Sequence, residues 1–341
     1  MSTPSVTDSV TPTPAGGGAA RRGRSPWAEF AVKRALGLLG TMVVLVLLTF
    51  FIVRLIPGDP AVQVAGSDAT AAQVEAARHQ LGLDKPLWQQ LGDYVGGLLR
   101  GDLGDSFSMR GSVRDVVLSR LWFTGTIAFV AMAVVLLLAV PLGMAVGILT
   151  RGGRRRWLDR VFTVLTGLVA AVPSYVMATL LILLFPVTLA LLFPAYSELN
   201  PTASLVLPVL SLAVGPIMIM ARVVRREIAV VLEQDFMRTA RGWRLGTLRL
   251  YGKYAFPSLM TSTLTLSGLI LTAMLGSAIV VETVFSVPGL GLGLVRAILA
   301  KDYPVIQGIV LILGIIAALL TLAIDTILGI IDPRTLGGRH A

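Results

Sequence analysis

The chain has 341 residues, 55% hydrophobic and only 14% charged, where an ordinary soluble domain is roughly a quarter charged. That is too little charge to cover a soluble surface of this size, and the apolar residues stand in long runs rather than at amphipathic spacing. Cysteine is absent and the two histidines, His79 and His340, lie outside every apolar run, which excludes disulfides and thiolate metal sites and leaves no metal, cofactor or imidazole relay to expect inside a bilayer.

Residues 1–25, rich in Ser, Thr, Pro, Gly and Ala and ending in Arg21, Arg22 and Arg24, read as a disordered cytoplasmic tail. The first apolar run, 35–53, is longer than a signal-peptide core and is followed by no small-residue cleavage pattern. The segment 26–56 is therefore expected as an uncleaved transmembrane helix. Charge-free runs near the roughly 20 residues needed to cross a bilayer recur at 121–150, 161–197, 199–221, 254–281 and 303–324. The total is six.

Between the first two runs, segment 57–120 carries Asp59, Asp68, Glu75, Asp84, Asp93, Asp102, Asp105 and Asp115 with fewer basic residues, as an extracytoplasmic domain would. Asp68–Thr70 marks a helix start, 71–80 a short helix, and Gly82 its C-terminal cap. Residues 87–99 place Leu87, Leu91, Val95 and Leu98 at helical spacing, which predicts an amphipathic helix on the outer face.

The remainder, 121–331, reads as a five-helix core. Only Glu198 interrupts 161–221, so two or three spans fit there by length alone. Arg151, Arg154, Arg155, Arg156 and Arg160 precede this stretch and Arg222, Arg225 and Arg226 follow it. Both clusters belong on the cytoplasmic side, which requires an even number of crossings, hence two spans with an outer turn at Pro194 and Asn200–Pro201. With both termini inside, 20 of the 29 Lys and Arg fall on cytoplasmic segments. That placement accounts for the net charge of +10 without nucleic acid. Pro141, Pro173, Pro186, Pro208 and Pro216 predict kinks within spans.

The segment 222–253 holds eight basic residues together with Phe236, Met237, Trp243, Leu245, Leu248, Leu250 and Tyr251. Residues 227–236 read as helix, with Gly242 as a break. Apolar surface rimmed by charge marks a partner site.

From these motifs the chain resembles the permease subunits of binding-protein-dependent ABC importers, in the dipeptide, oligopeptide and nickel branch. Gln234-Asp-Phe-Met-Arg-Thr-Ala-Arg241 is similar to that family's "EAA" loop, whose helix docks on the ATPase subunit. Arg54-Leu-Ile-Pro-Gly-Asp-Pro60, Leu81-Gly-Leu-Asp-Lys-Pro86 and Arg100-Gly-Asp-Leu-Gly-Asp-Ser106 match in order, as do Val281-Glu-Thr-Val-Phe285 with Pro288-Gly-Leu-Gly291, Asp302-Tyr-Pro-Val305 and Asp332-Pro-Arg334. The family's loop glycine falls at Arg244, whereas the glycines here are Gly242 and Gly246, so a shifted turn is expected. The resemblance implies an all-α integral membrane protein, a type I ABC importer permease-like bundle of six transmembrane helices with an extracytoplasmic domain between helices 1 and 2.

The same resemblance implies a cell-membrane assembly with two ATP-binding ABC subunits, a second homologous permease and an extracytoplasmic substrate-binding protein. The cargo would be short peptides, with nickel or another small solute as the alternative and a stand-alone secondary transporter as the rival. No Gly-x-x-x-x-Gly-Lys-[Ser/Thr] phosphate loop is present: Gly252–Lys253 is followed by Tyr254. ATP hydrolysis, and any enzymatic activity, would then belong to partners. The docking loop is expected to comprise Glu233, Gln234, Asp235, Phe236, Arg238, Thr239, Ala240, Arg241 and Gly242. Gly276, Ser277 and Glu282 near the outer end of the fifth span have two open readings, pathway or gate on one side and helix packing on the other. Asp325, inside the last run, is open between a cation site and a charge satisfied by snorkelling or by Arg334.

Overall fold

A computed structural model describes residues 26–331 except 56–58, 67, 109–110 and 244. The tails 1–25 and 332–341, with Asp332, Arg334 and His340, lie outside the described residues, as does Arg244. The chain begins with α1 (Pro26–Leu55), α2 (Pro60–Ala65), α3 (Ala71–Gln80), α4 (Leu87–Leu99) and α5 (Val113–Leu149). It continues through α6 (Arg156–Ala170), α7 (Ser174–Ile182), α8 (Pro201–Ser204), α9 (Val206–Val231), α10 (Asp235–Gly242) and α11 (Thr247–Leu250). The last elements are α12 (Phe256–Val284), α13 (Leu290–Leu299) and α14 (Tyr303–Ile331).

Among the described residues, five helical stretches are long and apolar enough to cross a membrane: Phe30–Phe51, Val113–Leu149, Pro201–Val231, Tyr251–Val284 and Tyr303–Ile331. The run expected at 161–197 takes another form. Helix α6 and the helical stretch from Ser174 to Thr188 meet at an angle of 92°. Pro173 withholds an N–H from the junction, and the residue before a proline avoids the helical region. The count reaches six only when this bent pair is one span.

The core is built on α5 against α9. Ile127, Ala131, Val135 and Ala139 of α5 are fully buried, as are Ala213, Met220, Val224 and Ile228 of α9. Glycines set the approach: a Cβ on Gly143 would lie 2.6 Å from the Ala221 carbonyl oxygen, and one on Gly147 would collide with Ile228. Small residues at such positions let two apolar helices meet backbone to backbone, which in a membrane replaces the missing hydrophobic drive. A second core, with Val113, Val117, Leu290, Ala297, Tyr303, Ile306 and Ile309, joins the start of α5 to α13 and α14.

The α1–α5 segment is ordered by local chemistry. Asp59 caps α2, its carboxylate accepting from Ala61 N–H at 2.9 Å, with Pro60 at the first helical position. Thr70 and Gln73 form a reciprocal capping box on α3, and Gly82 follows that helix with φ +64°, a conformation that favours glycine. Tyr94 on α4 holds this segment to α1, its hydroxyl 3.1 Å from that of Thr49. Helix α5 starts at Val113, capped by Ser112, so Arg114, Asp115 and Arg120 ride on the same continuous helix as the apolar run.

Candidate functional site

At one end of the bundle, α9 carries its helix to Val231, and the chain then turns through Leu232, Glu233 and Gln234 into α10. The helix expected over 227–236 is thus two helices. Gln234 adopts an extended conformation (φ −69°, ψ 151°) at the start of α10, and the Arg241 guanidinium donates to the Leu232 carbonyl. That carbonyl is one of those a helix C-terminus leaves unpaired. A side chain nine residues ahead therefore fixes the corner.

Helix α10 presents two faces. Met237 and Ala240 are buried, whereas Glu233, Gln234, Asp235, Phe236, Arg238 and Thr239 are exposed. Phe236 is 41% exposed and Trp243 61%. Arg238 reaches Asp235 at 3.3 Å, and the Thr239 hydroxyl donates to the Asp235 carbonyl at 3.2 Å. A Cβ on Gly242 would meet nothing within 4 Å, so the backbone does not demand glycine there. Eight of the nine residues expected in a docking loop thus lie on or beside an exposed surface, with Ala240 and Met237 as its internal anchor.

The opposite end is organised by two buried carboxylates. Glu282, fully buried near the end of α12, accepts from the Thr124 hydroxyl at 2.6 Å and from the backbone N–H of Gly291 at 2.6 Å and Leu292 at 3.3 Å. The Thr124 oxygen also accepts from Leu290 N–H at 2.8 Å. The unpaired N–H groups at the start of α13 are thereby satisfied from α5 and α12, and the negative charge faces the positive end of the helix dipole. A Cβ on Gly289 would strike the Glu282 carboxylate, and one on Gly291 the backbone of Ile279. The Pro288-Gly-Leu-Gly291 motif is the space this cap requires.

Asp302, also fully buried, begins α14. Its carboxylate accepts from the Ser106 hydroxyl at 2.5 Å, the Ser108 hydroxyl at 2.7 Å and the Ser108 N–H at 2.9 Å. Burial pushes this carboxyl up, but the combined hydrogen bonds from Ser106, Ser108 and Phe107 outweigh it and hold the group below the ordinary aspartate value. Two motifs nearly 200 residues apart in sequence meet at one atom.

Gly276, Ser277 and Glu282 therefore do not form one constellation. Glu282 is enclosed by its donors. Gly276 faces open space. Ser277 lines a pocket of about 210 Å³ at the α6–α7 bend, with Ser174, Met177, Ser211, Gly215 and Pro216. Asp325 pairs with Arg34 of α1 at 2.7 Å, a partner that sequence order did not suggest. Thr124 and Ser108 escaped the reading of the sequence as well, and Ser106 entered it only as the last residue of a motif, with no role. The only available signal was that each acid they serve sits in a quoted motif.

Continuous apolar helices, small-residue contacts between them, a helical corner at one end and buried-acid clamps at the other define a multi-pass membrane protein. Residues 139–337 match the family described as binding-protein-dependent transport system inner membrane component, and residues 27–128 match its N-terminal membrane component. The chain belongs to that family and is a permease subunit of a binding-protein-dependent ABC importer. A putative peptide transport system permease protein of Brucella abortus (strain 2308) is 37% identical over 310 residues, covering 89% of this chain and 97% of the relative. The glutathione transport system permease protein of Escherichia coli (strain K12) is 36% identical over 309 residues, covering 89% and 98%. The inward-facing MetNI methionine ABC transporter shares the fold, with a TM-score of 0.54 at 17% identity over 64% of this chain and 96% of that one.

Proposed function

We propose that this chain forms the translocation pathway for short peptides handed over by an extracytoplasmic binding protein. Two ATP-binding ABC subunits drive the cycle, and a second homologous permease completes the pathway. The chain sits in the cell membrane with six spans, the α6–α7 pair counting as one, and with both termini cytoplasmic. On this reading α10 is the cytoplasmic docking helix and the segment 57–120, between the first two spans, is extracytoplasmic.

The observation that carries the reading is the corner at 232–234. It fastens α10 to the helix most deeply packed in the bundle and leaves Phe236, Arg238 and Thr239 facing outward. A push on α10 reaches α9 and, through Gly143 and Gly147, α5. ATP-driven closure of the docked pair would then tilt α9 and α5 together and switch which end of the pathway is open. The pocket at the α6–α7 bend, walled by α9 and α12, is where such a tilt would change a cavity. The peptide cargo is supported by the peptide and glutathione permease relatives.

The test is affinity purification of the full chain in mild detergent, with identification of its companions and of the ligand held by the binding protein. Two ATP-binding subunits, a second permease and a bound peptide are the expected result. A nickel chelate or another solute would keep the machinery and replace the cargo. Transport by the chain purified alone would overturn the proposal.

A further inference from the structure

The pocket of about 210 Å³ at the α6–α7 bend has no charged residue in its lining. Its polar side chains are Ser174, Ser211 and Ser277. Two of these hydroxyls donate to carbonyls of their own helices, Ser211 to Pro208 at 2.8 Å and Ser277 to Ala273 at 3.2 Å. Ala170 of α6 and Ile219 of α9 are also part of the wall. One helical turn from each, Gly167 and Arg222 meet outside the pocket.

Arg222 is half-buried and makes no hydrogen bond or ion pair among the described residues. None of its nitrogens is sealed off, whereas Nε of Arg225 is. A Cβ on Gly167 would lie 3.8 Å from Arg222 Nη1, so the guanidinium rests against α6 where that helix has no side chain. Arg225, the next arginine on α9, pairs instead with Asp159 of α6.

The two arginines leave α9 about 4.5 Å apart along its axis, whereas Gly167 and Asp159 are about 12 Å apart along α6, at 1.5 Å per residue. Side chains rooted so close reach points so far apart by leaning in opposite directions. Helical side chains lean toward the N-terminus of their own helix, which for Arg222 is the direction of Ile219 and the pocket. Arg225 is drawn the other way by its acid. A guanidinium carries five donors in a fork that fits a carboxylate with two parallel hydrogen bonds. Arg222 therefore brings an open fork to the edge of a neutral pocket.

We infer that Arg222 is a specificity-determining residue that receives the terminal carboxylate of a peptide held in this pocket. The inference rests on the reading that the pocket belongs to a peptide pathway, and it names the group that tells one end of the peptide from the other. The serine hydroxyls offer either end only neutral contacts. A free carboxylate gains a charge-assisted pair with Arg222 that an amidated end lacks, a difference of about tenfold.

The test reconstitutes the full chain with its partners in proteoliposomes and follows ATP-dependent uptake of dialanine and of its C-terminal amide. A binding protein also chooses between the two, so the quantity read is the change in their uptake ratio from wild type to variant. Arg222→Gln should lower the ratio about tenfold by slowing dialanine alone, and Arg222→Lys should restore part of it. In the same preparation, phenylglyoxal modification of Arg222, located by mass spectrometry, should be slowed by dialanine and not by the amide. An unchanged ratio would overturn the inference. So would equal slowing of both dipeptides by Arg222→Gln, which marks a structural arginine. Wild type that imports neither dipeptide removes the peptide cargo, and the modification then decides alone: protection by dialanine keeps Arg222 as a carboxylate site, and its absence overturns the inference.

Discussion

The two ends of this bundle solve opposite problems. At the α13 end, charge is taken inside: Glu282 and Asp302 are fully buried, and each is met by three donors, Asp302 from Ser106 and Ser108 and Glu282 from Thr124 and the start of α13. At the α10 end charge and aromatic surface are left outside, and the Arg241 guanidinium joins the turn's own backbone hydrogen bonds in holding the corner. A buried carboxylate with all its donors in place is costly to disturb. An exposed helix face costs nothing to keep until something binds it. One end is fixed by buried donors, and the other presents the exposed surface for which docking is proposed.

The largest effect should come from removing the proposed docking surface. Deleting 236–244 should abolish transport while the chain still inserts, as measured by uptake and membrane fractionation side by side. Loss of insertion would mean that the corner holds the fold rather than a partner. Next, Glu282→Ala should strand the Thr124 hydroxyl and two N–H groups of α13 in a buried site. A loss of about 3 kcal/mol is expected in the unfolding of the purified chain, with Glu282→Gln intermediate.

A pair of glycines sharpens the contrast within α12 and α13. Gly291→Ala puts a methyl into the Ile279 backbone and should cost about 1–3 kcal/mol. Gly276→Ala enters open space and should gain up to about 1 kcal/mol from helix propensity. If Gly276 borders the pathway, that variant will transport more slowly while unfolding at a higher temperature.

The smallest expected effect is one of pH. The Asp302 carboxyl lies below its ordinary value in the folded protein, so its contribution is fully present above the unfolded value of about 3.9. It is lost as pH falls through the lower folded value. The wild type should lose stability across that acidic window by a component that Asp302→Asn lacks, read as the difference between their unfolding midpoints against pH.

Much of this was readable in the sequence where the cause is local. The helices expected over 71–80 and 87–99 are present at those residues, because a capping box, a Gly82 turn and an apolar period are all written within a dozen positions. Five of the six apolar runs likewise become long helices. The break at 232–234 was not legible: no glycine or proline marks it, and Arg241 ends α9 from the far side of the turn. The 92° bend was announced by Pro173 only as a kink, since packing against α9 decides the angle. The pairing of Asp302 with Ser106 and of Glu282 with Thr124 joins positions 196 and 158 residues apart. Periodicity carries no trace of such distances. Glu282 could be placed in a motif without revealing that its carboxylate accepts from Thr124 and from the start of α13.

The chain contains no cysteine, which permits a direct test of the proposed docking end. Single cysteines placed at Thr239, on the exposed face of α10, and at Leu299, which is 80% exposed at the end of α13, can be crosslinked in native membranes. Thr239→Cys should crosslink to an ATP-binding subunit, and Leu299→Cys should not. An ATP-binding subunit captured from Leu299→Cys, with Thr239→Cys unreactive toward it, would contradict the account.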